Sequence, residues 1–131
     1  MTDEALVRSF EAGAMPPQGF HHAEHVRVAW WYLRQYPWIA ALDRFRTALR
    51  RFAEAQGAPG LYHETITTAF VLILNERLDD GTSRGLDWPA FAARHPDLLA
   101  WRPSILDRYY RPETLASERA KRTFLMPDRG C

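Results

Sequence analysis

Three stretches of this 131-residue chain carry apolar side chains at helical period, one directly after another, and only a few residues separate them. In residues 22–36 the positions 22, 25, 29, 33 and 36 share one face, which reads His, His, Ala, Leu, Tyr. In residues 38–56 an inward stripe runs through Trp38, Ala41, Leu42, Phe45, Leu49, Phe52 and Ala53, with Arg44, Arg46, Arg50, Arg51 and Glu54 outside or flanking it. In residues 61–79 the middle, Ile66 to Leu74, is apolar nearly all round, the signature of a helix at the centre of a fold. Pro37 and the turn Gly57-Ala58-Pro59-Gly60 are the only breaks between them, and such short connections favour antiparallel neighbours. The three helices therefore run up, down and up. No alternating strand pattern occurs, and 131 residues make one ordinary domain. The expectation is an all-α, compact single-domain helical bundle spanning 1–131, with six or seven helices.

The smaller elements follow from local chemistry. Leu6, Val7 and Phe10 give a short first helix over 3–12, capped by Thr2 or Asp3 and ended by Gly13 and Pro16-Pro17. Residues 79–85 read as a surface loop, and Asp79-Asp80-Gly81 as a turn, since it lacks the ligand periodicity of a calcium loop. Asp87 caps a helix over 88–94. Pro103 and Pro112 each sit where a helix's first position favours proline. The tail from 112 to 124 has helical spacing at Leu115, Arg119 and Arg122, and Pro127 and Gly130 end it.

Charge excludes some partners. Seventeen basic residues face sixteen acidic ones, seven of each in residues 1–65, so no basic face for nucleic acid is expected. Arg44, Arg46, Arg50 and Arg51 interleave with Asp43 and Glu54, and no helix-turn-helix spacing follows. The longest apolar run, Ala69 to Leu74, is far below the ~20 residues that span a bilayer, so no membrane is expected either. The start, Met1-Thr2-Asp3-Glu4, lacks the features of a signal peptide, and the lone cysteine, Cys131, permits no intrachain disulfide. A cytoplasmic protein is expected, of open oligomeric state.

Four polar residues stand out against this background: His22 and His25 where one long helix begins, and His63 and Glu64 where another begins. In an up-down-up bundle those two helices are parallel, so all four meet at one end. His22 and His25 share a face that continues through Ala29 and Leu33, toward the interior; His21 and His25 form the competing i, i+4 pair. Three readings of the cluster follow.

The first is a metal site, with His22, His25 and His63 as ligands and Glu64 as fourth ligand or general base. This set suits Zn²⁺, Fe²⁺ or Mn²⁺ and leaves positions open for a metal-dependent small-molecule enzyme. Helix N-termini disfavour imidazolium and so keep the ligands neutral. His63 and Glu64 lie ~100° apart on a helix, so both reach one ion only where the helix begins loosely. The second reading is a metal-free organic-acid pocket at two helix N-termini, with the histidines, Tyr62, Thr65 and Thr67 as donors and Glu64 as the candidate general base. The third is a buried hydrogen-bond network in a non-catalytic binding or interaction protein, since first-turn histidines satisfy orphan backbone groups and the helix dipole alone favours a first-turn glutamate.

The patterns Phe20-x-His22-x-x-His25, with Ala29-Trp30 and Tyr32-Leu33 after it, and Tyr62-His63-Glu64-Thr65-Ile66-Thr67 resemble those of a family of small, mostly bacterial helical proteins with no known activity. The tail Ser117-x-x-Ala120-x-x-x-Phe124-x-x-Pro127-Asp128 is similar too. The resemblance implies that the two histidine motifs belong to one design, with His22, His25 and His63 the matching positions and His21 and His95 outside it. DinB-like and hemerythrin-like bundles offer a fold-level analogy only, because neither H-x-x-x-E nor H-x-x-H-E occurs clearly here.

Other residues complete the expectations. Trp30, Trp31 and Tyr32 point in three directions, so one ring leaves the core face, and Trp31 is the candidate to line the pocket beside Tyr62 and Thr67. Tyr109-Tyr110 forms either a lid or a packed terminal segment. His95, before a proline in a loop, is expected in solvent. No serine sits in a nucleophile turn.

Overall fold

The computed structural model describes residues 1–15 and 19–129. Helix breaks expected at Pro16-Pro17 and Gly130, and Cys131 itself, lie outside the described residues. Among those described are seven α-helices: α1 (Asp3–Glu11), α2 (His22–Gln35), α3 (Trp38–Ala55), α4 (Glu64–Leu78), α5 (Trp88–Arg94), α6 (Pro112–Leu115) and α7 (Glu118–Arg122). Short 3-10 turns at 59–61, 83–85, 96–98 and 105–108 join them, and no strand occurs among the described residues. The bundle is all-α, as the periodicity requires.

Each long helix buries most of the face that its period marks, but Trp38, expected inward, stays 46% exposed at the start of α3, where the first turn extends past the packed interface. Val26, Ala29, Trp30 and Leu33 of α2 meet Ala41, Phe45 and Phe52 of α3, while α4 buries Phe70, Val71, Leu74 and Leu78 between them. Helix α1 lies across α2 and α3, where the Phe10 ring stacks on Phe20 at 5.0 Å and on Phe45 at 5.8 Å. Thr2 caps it by accepting the Ala5 N–H. Arg27 pairs with Asp3 at 2.6 Å and the Tyr32 hydroxyl donates to Glu11, which fastens both ends of α1 to α2. The turn after α1 needs its glycine: Gly13 has φ +72°, and a Cβ there would sit 2.7 Å from that of Ala55.

The tail differs from one continuous helix. Ser117 is extended and accepts the Ala120 N–H, so a fresh helix starts at Glu118 and the segment divides into α6 and α7. It is tied along α4 by Thr65, which donates to the Thr123 carbonyl at 2.8 Å and accepts the Leu125 N–H at 3.1 Å. Pro112 opens α6 as its place in the sequence suggests. Pro103 opens no helix: it follows a cis peptide in a turn, and Ser104 then caps the 3-10 turn at 105–108. Tyr110 is buried and donates to the Leu125 carbonyl, so the Tyr109-Tyr110 segment is packed against the tail.

His95 departs from its expected place in solvent. Only 8% exposed, it packs on the Phe91 ring at 4.7 Å, and Arg77 of α4 approaches its Nδ1 at 3.0 Å. Its Nε2 lies 2.9 Å from the Ser83 hydroxyl, which donates to Asp80. The turn of Asp80 and the end of α5 thereby close around one buried imidazole, because a ring with two satisfied nitrogens is easily buried.

Candidate functional site

A cavity of about 780 Å³ opens where α2 and α4 begin and α3 ends. That three-way meeting is the geometric product of the up-down-up order. Its deep wall is apolar, with Ala29, Phe45, Phe70 and Leu74 all buried; its mouth carries the exposed side chains of Leu61 (80%), Trp101 (54%) and Met15 (50%). The polar groups of the wall are His21 and Gln56, which are exposed, and His22, His25, Tyr62, His63 and Thr67, which are less so. No Asp, Glu, Lys or Arg lines the cavity among the described residues.

The expected residues are thus partly gathered. His22, His25, His63, Tyr62 and Thr67 share the cavity wall, and both His21 and His22 reach it. Trp31 is not on the wall. It stands two residues past Ala29, about 200° round the helix, and packs its ring at 5.4 Å against Tyr32 on the other side of α2. Glu64 is not on the wall either. Helix α4 begins at Glu64 itself, with His63 extended as its cap, and this first turn directs the carboxylate to α3. Arg46 holds it there through Nε to Oε1 at 2.8 Å and Nη2 to Oε2, with Arg50 at 3.5 Å. These hydrogen bonds from Arg46 keep the Glu64 carboxyl below its ordinary range despite burial. Tyr62, on the wall, donates its hydroxyl to the same carboxylate, and burial together with that bond pushes its pKa up to about 12.

The three imidazoles have different duties. His63 commits both nitrogens to the backbone: Nδ1 accepts the Ile66 N–H at 3.1 Å, and Nε2 donates to the Leu115 carbonyl at 2.7 Å. It caps α4 and docks the tail at once. His22 donates Nε2–H to the Leu98 carbonyl at 2.9 Å, which leaves Nδ1 as a lone pair in the neutral ring. Its ring lies 4.9 Å from Phe70 and 5.1 Å from Trp101, joining the floor to the mouth. His25 packs at 4.5 Å on Phe20, and burial, aided by neighbouring His22, lowers its pKa to about 4 in spite of a backbone hydrogen bond at Phe20. Burial lowers that of His22 also. Both rings are uncharged at neutral pH.

Among the described residues no group of three or more His, Cys, Asp or Glu side chains is arranged to hold a metal ion, and no helix is long and apolar enough to cross a membrane. Compared with protein-family models, curated proteins and solved structures, the chain matches none.

The aromatic wall went unnoticed in the sequence. Its signal was faint but present: alanines at 23 and 29 of α2, at 53 near the end of α3 and at 58 in the turn after it line the space, which larger side chains would fill.

Proposed function

We propose that this protein binds a small, largely apolar organic molecule in the cavity between α2, α3 and α4. One observation carries the reading: the cavity is of ligand size, apolar at floor and mouth, and crossed by a few polar groups with no charge among them. An ordinary core would close such a space, since interiors pack to crystal density. Glu64 belongs to a partly buried ion pair that joins α3 to α4, and His63 to the frame. A reducing compartment such as the cytoplasm suits a chain with one cysteine.

A metal-dependent enzyme is the second reading, and one feature favours it: His22 and His25, three residues apart, each keep a nitrogen without a protein partner among the described residues.

Fluorescence of the neutral probe N-phenyl-1-naphthylamine tests the first reading. Saturable binding is expected, and Ala53→Trp, which fills the cavity, should abolish it with folding retained by circular dichroism. Equal fluorescence with both proteins, or none with either, overturns the proposal. Metal content of the untagged protein decides the second: a stoichiometric metal lost in both His22→Ala and His25→Ala supports it, and a metal-free protein refutes it.

A further inference from the structure

The hydrogen-bonding sense of the cavity wall narrows what it can hold. His63 has no nitrogen to offer, since both bond the backbone. His22 gives its only N–H to the Leu98 carbonyl and retains a lone pair on Nδ1. His25, its ring packed on Phe20, keeps one lone pair as a neutral imidazole. Tyr62 gives its hydrogen to Glu64, and Gln56 donates to the Gly13 carbonyl. Thr67 alone on this wall has a hydroxyl without a partner among the described residues. What remains on the less exposed part of the wall is two imidazole acceptors and one hydroxyl able to donate; the other N–H groups, on His21 and Gln56, belong to exposed residues at the mouth.

An anion fits this wall poorly. Each helix N-terminus nearby already has its own carboxylate: Glu24 accepts the His21 N–H at α2, and Glu64 occupies the first turn of α4. Arg46 and Arg50 are directed to Glu64, and Arg50 lies over the Tyr62 ring at 4.9 Å. A carboxylate ligand would therefore face lone pairs and lose its hydration without a cation in return. A cationic ligand would likewise find no counter-charge.

We infer that the ligand is a neutral aromatic alcohol or phenol, its ring body against Phe20, Phe45, Phe52 and Phe70 and its hydroxyl donating to His22 or His25. A hydroxyl both gives and takes a hydrogen bond, so the same group can accept from Thr67. The aromatic floor suits a flat ring, because ring faces and edges pack favourably on one another. The inference rests on the reading of the cavity as a binding site.

Three compounds on one skeleton test it by isothermal titration at pH 7.5: 2-naphthalenemethanol, its methyl ether and 2-naphthoate. The alcohol is expected to bind at least about tenfold tighter than the ether, which has no hydrogen to donate, and tighter still than the carboxylate. His22→Phe and His25→Leu, tested separately with folding checked by circular dichroism, should reduce the ratio of alcohol to ether affinity in one or both. Carboxylate binding as tight as the alcohol, or equal alcohol and ether, overturns the inference. So does binding of N-phenyl-1-naphthylamine with none of the three compounds; failure of that probe as well removes the binding site itself.

Discussion

Arg46 of α3 and Glu64 of α4 meet in a two-pronged ion pair, with Nε on Oε1 at 2.8 Å and Nη2 on Oε2. Tyr62 donates to the same carboxylate, so the cavity wall is braced from behind by a charge that never enters it.

Glu64→Gln leaves Arg46 with half of its partner and Tyr62 with a weaker acceptor. Glu64 is 8% exposed while Arg46 is partly open to solvent, so the loss is expected at about 1–3 kcal/mol in chemical denaturation, below that of a fully buried pair. Affinity for the cavity probe should stay within a few-fold. Unchanged stability would show that the pair is dispensable.

Stability should fall as the solution is acidified from about pH 6.5 to pH 4. His25 has its folded pKa lowered to about 4 by burial, beneath the 6.5 of the unfolded chain. Between those values the unfolded state binds more protons, so this contribution is complete above pH 6.5 and disappears as pH falls through 4. It amounts to on the order of 3 kcal/mol, and His22, lowered in the same direction, adds to it. Urea titrations at pH 7.5, 5.5 and 4.5 measure the slope, which His25→Gln should flatten. Binding of a hydroxyl donor should weaken over the same range, because a proton then occupies the lone pair.

Two substitutions at His63 separate capping from docking. His63→Asn keeps a side-chain acceptor for the first turn of α4 but cannot reach Leu115 in the same way, whereas His63→Ala loses both. The alanine variant should be less stable than the asparagine one by about 1 kcal/mol, the worth of an N-cap. Equal thermal midpoints would place the whole effect in the tail.

Gly13→Ala should cost about 1–3 kcal/mol, because the residue is left-handed and the added Cβ would crowd that of Ala55. Gly81, also left-handed but with open space around it, should lose less on the same change. Differential scanning calorimetry of the two variants checks the order, and an equal loss in both would assign the effect to backbone conformation alone.

The long helices were legible because burial follows their period: Phe45 and Phe52, or Val26, Ala29 and Leu33, lie where an amphipathic face must be covered. The gathering of His22, His25 and His63 was legible from topology, since short connections fix the direction of each helix. Glu64 illustrates what periodicity leaves open. Its neighbour His63 adopts an extended cap, and the angular offset of one residue sends the two side chains to different partners. For His95 the local signal pointed to solvent, and only the distant Arg77 and Ser83 make its burial favourable. Tertiary pairing of that kind has no trace in neighbouring residues.

Among the described residues the cavity draws nearly all its wall from positions before 75, and beyond them only Leu99 and Trp101, on the loop that His22 holds through Leu98, take part. Frame and aperture are in this sense independent parts. Changes at two loop positions would reshape the entrance while the three-helix scaffold, its ion pair and its caps stay untouched, so the aperture can vary in descendants of this chain at little expense to folding.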